Sequence, residues 1–287
     1  QGIVWGLPGA TYFTLAPVRR FADGASPGRY PKFCGIELVR GTQFPADWQG
    51  DAITADFRAH RIVRFKVTEQ GAGFVTKEMP DLLRTTADSF RPIDLRFGPD
   101  GALYIADWSN PIIQHGEVDF RDPRRDKSHG RIWRVAMKGA KAPPKVDFTK
   151  LAIPALLDRL NSPHGYEQDR AQRVLTERGA AVLPALEAWA KRQTTEAARL
   201  RALWMYQALN RVPRPLLDDL LVAKDPRVRA AAVRVLPADG EWPVLERLVA
   251  AAHPRVRVEA LRQLAVRRTA RAAELALGAL ERPMDNF

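Results

Sequence analysis

Acidic, basic and imidazole side chains are concentrated between residues 107 and 130, in the run DWSNPIIQHGEVDFRDPRRDKSHG. Two of them, His115 and His129, titrate near neutral pH and are therefore candidate general bases. Each is followed by glycine, which lets a ligand approach the backbone closely but serves a tight turn equally well. The run predicts a site of proton transfer with His115 and His129 as its catalytic residues, unless the histidines only shape turns.

Arginines alternate with aspartates in the segment RDPRRD of the same run. The guanidinium groups of Arg121, Arg124 and Arg125 could clamp a carboxylate or a quinone oxygen through paired hydrogen bonds. Alternatively, the arginines pair with Asp122 and Asp126 and hold the loop rigid. We favour this network, because interleaved opposite charges satisfy one another.

The run also contains side chains that can bind metal ions. Histidine and carboxylate ligands together suit Zn²⁺, Fe²⁺ or Ca²⁺. The spacings match no compact ligand signature, and loop aspartates commonly cap turns, so we assign no metal. The candidate ligands are His115, Asp119, Asp122, Asp126 and His129.

Strand patterns surround this loop. CGIELVR, DAITADF, RIVRFKV and GFVTKEM form one set of four, and IDLRFG, ALYIAD and GRIWRVAM form most of another. Corresponding positions, such as Ile53 and Leu103, recur at a spacing of about fifty residues, which is typical of propeller blades. Residues 1–138 therefore predict the C-terminal blades of a partial β-propeller. A propeller needs more blades than these, so we expect the sequence to be a fragment of a longer chain.

In propeller geometry, the loops that join second to third strands open on one face. The loop after Asp107 and the shorter loop after Asp56 both occupy this position and would be neighbours across a pocket. The substrate- or cofactor-binding residues predicted on this face, besides the three arginines, are Asp56, Arg58, His60, Asp107 and Asn110.

The rest of the chain changes character. Fifteen of the nineteen glycines precede residue 146, and the segment 139–149 has the Pro/Gly/Lys composition of a linker. Beyond it, DPRVRAAAVRVL at 225–236 returns as HPRVRVEALRQL at 253–264. Proline in a first helical turn, preceded by amphipathic partner segments, predicts paired helices. Residues 150–287 therefore predict a HEAT-like α-solenoid, and the whole chain a multidomain β + α protein.

Composition narrows the function classes. The net charge is +12, but basic and acidic residues are spread evenly over both halves, which argues against a dedicated nucleic-acid binder. The single cysteine, Cys34, excludes an intrachain disulfide, and no CxxC pattern is present. No apolar run is long enough to span a membrane.

The run FRPIDLRFGPDGALYIADWSNPIIQHGEVDFRDPRRDKSHGRIWRV, followed by HEAT-like repeats, resembles a known family. It is similar to the membrane-bound dehydrogenases also called PVC-type haem-binding CxxCH proteins, whose propeller is similar to that of glucose/sorbosone dehydrogenases. The resemblance implies an exported, periplasmic or cell-surface protein that oxidises a sugar or alcohol. It also implies pyrroloquinoline quinone with Ca²⁺ in the propeller and haem c in a C-terminal cytochrome domain. This chain has no CxxCH motif, so we expect haem only beyond it.

Two functions stay open at this point. In the first, the propeller binds a carbohydrate-like substrate for quinone-dependent oxidation, and electrons pass to the haem domain, although the fragment alone would be inactive. The helical half would then contact that domain or another protein partner. In the second, propeller and repeats form a non-catalytic module that recognises a glycan or a protein. A tight Arg–Asp network within the loop would favour the module.

Overall fold

The computed structural model describes residues 32–112 and 121–283. His115 and Asp119 lie outside these ranges. Strands occupy the first part of the chain and form two antiparallel sheets, one in the order β1-β2-β3-β4 with β5 paired to the start of β3, the other in the order β6-β7-β8. The strands are β1 Phe33–Leu38, β2 Ala52–Asp56, β3 Arg61–Gln70, β4 Gly73–Glu78, β5 Leu83–Arg84, β6 Pro92–Phe97, β7 Leu103–Asp107 and β8 Arg131–Val135.

The two sheets share one apolar core. β2 and β7 consist mainly of apolar residues. Four side chains from the two sheets are almost fully buried in a single cluster: Ile53, Ile62, Leu95 and Ile105. β1 and β6 lie side by side without forming one sheet. The strands therefore end at Asp56 and Asp107 beside a packed core, which fixes the first residues of the loops that follow them.

The predicted propeller is wrong. Across residues 32–112 and 121–283 the strands make two small sheets, neither of which closes into a barrel or a propeller, and helices follow, so the arrangement is mixed α/β. The fifty-residue spacing has a simpler origin, because each sheet is a meander of consecutive antiparallel strands and similar meanders repeat the same pattern. A sequence period specifies the repeated unit but not how its copies are arranged around an axis. The fold class of propeller blades followed by a solenoid is therefore replaced by this α/β arrangement.

Residues 136–147 contain neither strand nor helix, and α-helices follow from Ile153. Proline is the second residue of α1, α3, α5 and α7 and the first of α6 and α8, where its missing N–H has no intrahelical partner to lose. The helices are α1 Ile153–Arg159, α2 Gly165–Arg178, α3 Leu183–Lys191, α4 Glu196–Ala208, α5 Arg214–Leu221, α6 Pro226–Val233, α7 Trp242–Val249, α8 Pro254–Arg267 and α9 Ala270–Leu277.

Helix α4 lies at the centre of the helical region because it buries two faces. Leu203 belongs to a cluster formed with α5–α9, whereas Met205 and Tyr206 belong to a cluster formed with α1–α3. Both clusters consist mainly of leucine, valine and alanine at helical spacing. In the described ranges every helix is too short or too polar to cross a bilayer.

The helical region contacts the sheets at two places. Near its start, the backbone N–H of Gly165 donates to the carbonyl of Arg40 at 2.9 Å. Near its end, the guanidinium of Arg255 lies 4.4 Å from the ring centre of Phe74 and pairs with Glu69 at 2.9 Å. Backbone and cation–π contacts therefore join strands to helices at both ends.

Candidate functional site

Asp107, the last residue of β7, is 3% exposed and fully engaged by neighbouring donors. Its Oδ1 accepts from the backbone N–H groups of Arg91 and Ser109 at 2.8 and 2.9 Å. Its Oδ2 accepts from Trp133 Nε1 at 2.8 Å, and Arg131 Nε lies 2.8 Å from the same oxygen. A carboxylate with this set of partners fixes the start of the loop and has no remaining lone pair directed at a ligand.

Arg91 lies directly before β6 and contacts two loops. Its buried guanidinium donates from Nε to the carbonyl of Asn110 at 2.9 Å, from Nη1 to that of Phe57 at 3.0 Å and from Nη2 to that of Pro111 at 3.0 Å. Burial lowers the pKa of this guanidinium below its ordinary value, and the charges of Asp88 and Asp107 oppose that shift only in part. Arg91 therefore ties the loop after β2 to the loop after β7.

His60 contacts the same guanidinium and adopts a left-handed backbone conformation with φ of 53°. Its Nδ1 lies 3.0 Å from the carbonyl oxygen of Phe90, and its Nε2 lies 3.2 Å from Arg91 Nη1. A carbonyl accepts and a guanidinium donates, so both contacts are satisfied by the neutral tautomer with its proton on Nδ1. In this tautomer His60 bridges two elements, and both of its ring nitrogens are occupied.

Asp56 ends β2 and forms a separate buried group. Its Oδ1 accepts from the backbone N–H of Lys32 at 3.1 Å, and its Oδ2 accepts from Arg61 Nε at 3.3 Å. Arg61 also pairs with Glu78 at 2.9 Å. Arg58, two residues after Asp56, is exposed. Asp56 thus stabilises the turn between β2 and β3, while Arg58 faces solvent.

The described end of the long loop contains paired charges. Arg124 donates to Asp122 Oδ2 at 2.7 Å, and hydrogen bonds from this arginine lower the pKa of Asp122 to about 2. His129 Nδ1 lies 3.0 Å from Asp126 Oδ2, and the His129 side chain is 76% exposed. Backbone N–H donation from Ser128, with a contribution from His129, lowers the pKa of Asp126 to about 2. The loop contains the Arg–Asp pairing that the sequence suggested as the alternative to a ligand clamp.

The structure brings together some of the predicted site residues and separates others. Asp107, Asn110 and His60 meet around Arg91, and we call these four residues the strand-end cluster. Asn110 reaches the loop end only through its Nδ2, which lies 3.4 Å from the carbonyl of Asp126. Arg121 is exposed and Arg125 half-buried. Sequence reasoning missed Arg91, since an arginine before a strand proline carries no pattern that distinguishes it from a surface residue.

The cofactors implied by the resemblance do not fit these residues. In the part of the chain that the structure describes, no three His, Cys, Asp or Glu side chains are placed to hold a metal ion. The polar atoms of three predicted ligands, Asp56, Asp107 and Asn110, are bonded to backbone and arginine partners. These residues are therefore not available to hold a quinone and its Ca²⁺.

A groove lies elsewhere, between α3, α4 and α5. Its volume is about 800 Å³, within the range of ligand-binding clefts. The floor is largely apolar, and charged side chains stand on the rim. The lining residues are Leu183, Pro184, Glu187, Ala190, Lys191, Gln193, Thr194, Arg199, Tyr206, Pro213, Pro215, Leu216 and Asp219.

The fold defines two small antiparallel sheets joined to a helical region, and comparison with known proteins adds one family. A family described as a domain of unknown function, DUF7133, matches residues 8–139, which is less than half of the 287-residue chain. No curated protein and no solved structure matches the chain significantly. These comparisons name neither a dehydrogenase nor a haem protein, so the resemblance inferred from sequence, with the export it implies, stays a prediction.

Proposed function

We propose that this chain is a non-catalytic recognition module whose α3–α5 groove binds an extended, uncharged segment of a protein partner. The observation that carries the proposal is the groove itself, an open cleft of about 800 Å³ with an apolar floor. A cleft of this size and lining suits a short peptide segment.

The lining offers both apolar contact and hydrogen-bonding groups. Tyr206, which is 6% exposed, and Leu216 both line the groove. Burial, and then the charge of Glu187, raise the pKa of the Tyr206 phenol above its ordinary value. An apolar cleft whose lining also includes Tyr206, Gln193 and Thr194 suits an extended backbone, as in polyproline II recognition.

The rim favours a neutral occupant. Lys191 Nζ pairs with Glu187 at 2.7 Å, and Arg199 pairs with Asp219 at 2.5 Å. The two acids and the two bases therefore balance within the groove. A charged segment would have to break one of these pairs, whereas an uncharged segment leaves both intact.

The strand-end cluster supports recognition over catalysis. Asp107, His60 and Arg91 direct their polar atoms at one another and at backbone carbonyls. A general base needs a lone pair within reach of its substrate, and these groups have theirs occupied. We therefore assign the cluster to loop stability.

The test uses matched proline variants. Pro184 and Pro215 are each the second residue of their helix and line the groove, and Pro154 holds the same position in α1 outside it. A fluorescein-labelled peptide of Pro-Pro-Leu repeats is titrated against each protein by fluorescence anisotropy. Pro184→Glu and Pro215→Glu should each weaken binding about tenfold, and Pro154→Glu should not. Equal binding by all variants, or tighter binding of the same peptide with Glu in place of Leu, would contradict the proposal.

Sugar or alcohol oxidation is a second candidate, favoured by the Asp126–His129 pair. A carboxylate 3.0 Å from an exposed imidazole holds the ring in one orientation, as a general base requires. The test is dye-coupled oxidation of an aldose panel, with and without pyrroloquinoline quinone and Ca²⁺. Turnover that His129→Gln abolishes and Arg124→Gln retains would establish it. No turnover in any condition would remove it.

A further inference from the structure

A second cavity lies at the junction of β1, β6 and α2, apart from the α3–α5 groove. Its volume is about 310 Å³, which admits a ligand of monosaccharide size. Three of its lining residues are arginines, Arg40, Arg96 and Arg170, and two are acids, Glu37 and Asp169. Arginines therefore outnumber acids among the lining residues.

Arg40 is held in place by Asp169. Arg40 Nη1 and Nη2 donate to the two carboxylate oxygens of Asp169 at 3.2 and 2.7 Å, and this hydrogen bonding raises the pKa of the guanidinium. Gly165 packs directly against Arg40, since a Cβ on that glycine would lie 2.7 Å from the Arg40 Cβ. The Arg40–Asp169 pair thus forms an internally neutral wall.

The other two arginines keep donors for a ligand. Arg96 uses Nη1 for the carbonyls of Ile36 and Leu95, at 3.3 and 3.0 Å, and the same nitrogen lies 3.4 Å from Asp94 Oδ1. Its Nε and Nη2 bond to no described residue. Arg170 uses Nε for the Tyr166 hydroxyl at 3.1 Å, and its two Nη groups likewise bond to no described residue. Both arginines line the cavity.

The remaining walls suit a hydroxylated ring. Phe97 and Tyr166 supply aromatic surface on opposite elements. Glu37 accepts from the backbone N–H of Leu38 through Oε1 at 3.1 Å, and its Oε2 lies 4.0 Å from Arg96 Nη1, too far for a hydrogen bond. That oxygen can accept from a ligand hydroxyl. Guanidinium donors, a hydroxyl acceptor and aromatic walls together suit a ring that carries both a carboxylate and hydroxyl groups.

We propose that this cavity binds a monosaccharide-sized sugar acid, with its carboxylate held by Arg96 and Arg170 and a hydroxyl by Glu37. The planar guanidinium fork matches a carboxylate, which explains why arginines rather than lysines face the cavity. The site is independent of the peptide groove, because the two share no lining residue.

The test is isothermal titration of the purified chain with sodium glucuronate, glucose and inorganic phosphate. Glucuronate should bind with a dissociation constant on the order of a millimolar, and glucose at least about tenfold more weakly. Arg96→Ala and Arg170→Ala should each weaken glucuronate binding about tenfold or more, because each removes a charge-assisted contact. Arg173→Ala is the matched control, since Arg173 lies on α2, is 67% exposed and pairs with Glu177 outside the cavity.

Three outcomes would overturn the proposal. Glucose binding as tightly as glucuronate would show that the carboxylate is not recognised. Phosphate binding as tightly would show a general anion effect of surface arginines. An equal loss in Arg173→Ala would show the same, while circular dichroism spectra that match the unmodified chain exclude unfolding as the cause.

Discussion

Replacement of Arg91 by methionine removes the charge and the hydrogen bonds while it keeps much of the side-chain volume. Three carbonyl groups, those of Phe57, Asn110 and Pro111, lose their guanidinium donor. A hydrogen bond that involves a charged group contributes a net of about 1.5–3 kcal/mol. Three such bonds would sum to at least about 4.5 kcal/mol if they were independent.

The expected loss is smaller than that sum. Burial lowers the pKa of Arg91, which shows that the site opposes the charge it holds, and removal of the charge recovers part of that cost. We therefore expect Arg91→Met to lower the free energy of unfolding by about 3 kcal/mol. Arg91→Lys should lower it by about 2 kcal/mol, because one ammonium group cannot reach three carbonyls on two loops.

The assay is urea unfolding followed by tryptophan fluorescence, with hydrogen exchange of the β6 and β7 amides to locate the effect. Arg84→Met is the control, since Arg84 is 61% exposed and pairs only at the surface with Asp81. That substitution should change the free energy of unfolding by about 0.5 kcal/mol or less. A loss below about 1 kcal/mol in Arg91→Met would refute the view that this guanidinium holds the two loops together.

Two further predictions concern the packing of α2 against Arg40 and the N-terminal cap of α8. Gly165→Ala should destabilise the chain by about 1–3 kcal/mol, because the added Cβ would overlap Arg40. Gly278→Ala is the control and should be tolerated, because its Cβ would meet no atom closer than 4.0 Å. Thermal unfolding of the two variants measures the difference. His253 caps α8 through Nδ1, which accepts from the Arg255 backbone N–H, and burial followed by the charge of Arg255 lowers its pKa. Its contribution to stability is present above its ordinary pKa of 6.5 and is lost as the pH falls through the lowered value in the folded state. Urea unfolding at pH 7.5 and pH 5 should show this loss of stability. His253→Asn keeps a cap acceptor that does not titrate, so the loss should be smaller in this variant. Equal pH dependence in both proteins would contradict the assignment.

Local elements were predictable from sequence because their signals are local. The proline in each repeated helical segment marked helix starts, and helices do begin at Pro226 and Pro254. Period-2 patterns marked the strands, and β7 indeed buries Leu103 and Ile105 on one face. These predictions are confirmed, since capping chemistry and side-chain alternation act within a few residues.

The arrangement of the sheets and the centre of the strand-end cluster were not predictable in the same way. A repeat of similar meanders does not state how many copies surround an axis, so the propeller prediction was wrong. Arg91 gains its role only from carbonyls that lie 19 to 34 residues away in the chain. His129 and Asp107 were both identified as polar loop residues, yet one is exposed and the other buried, a difference that packing alone decides.

Amide chemical-shift mapping of the isotope-labelled chain with the Pro-Pro-Leu peptide tests the recognition module most directly. The account predicts that shifts concentrate on groove residues between Leu183 and Asp219, that Pro154→Glu retains them and that Pro215→Glu loses them. Shifts confined to the strand-end cluster around Arg91, or no shifts at peptide concentrations up to about a millimolar, would contradict it.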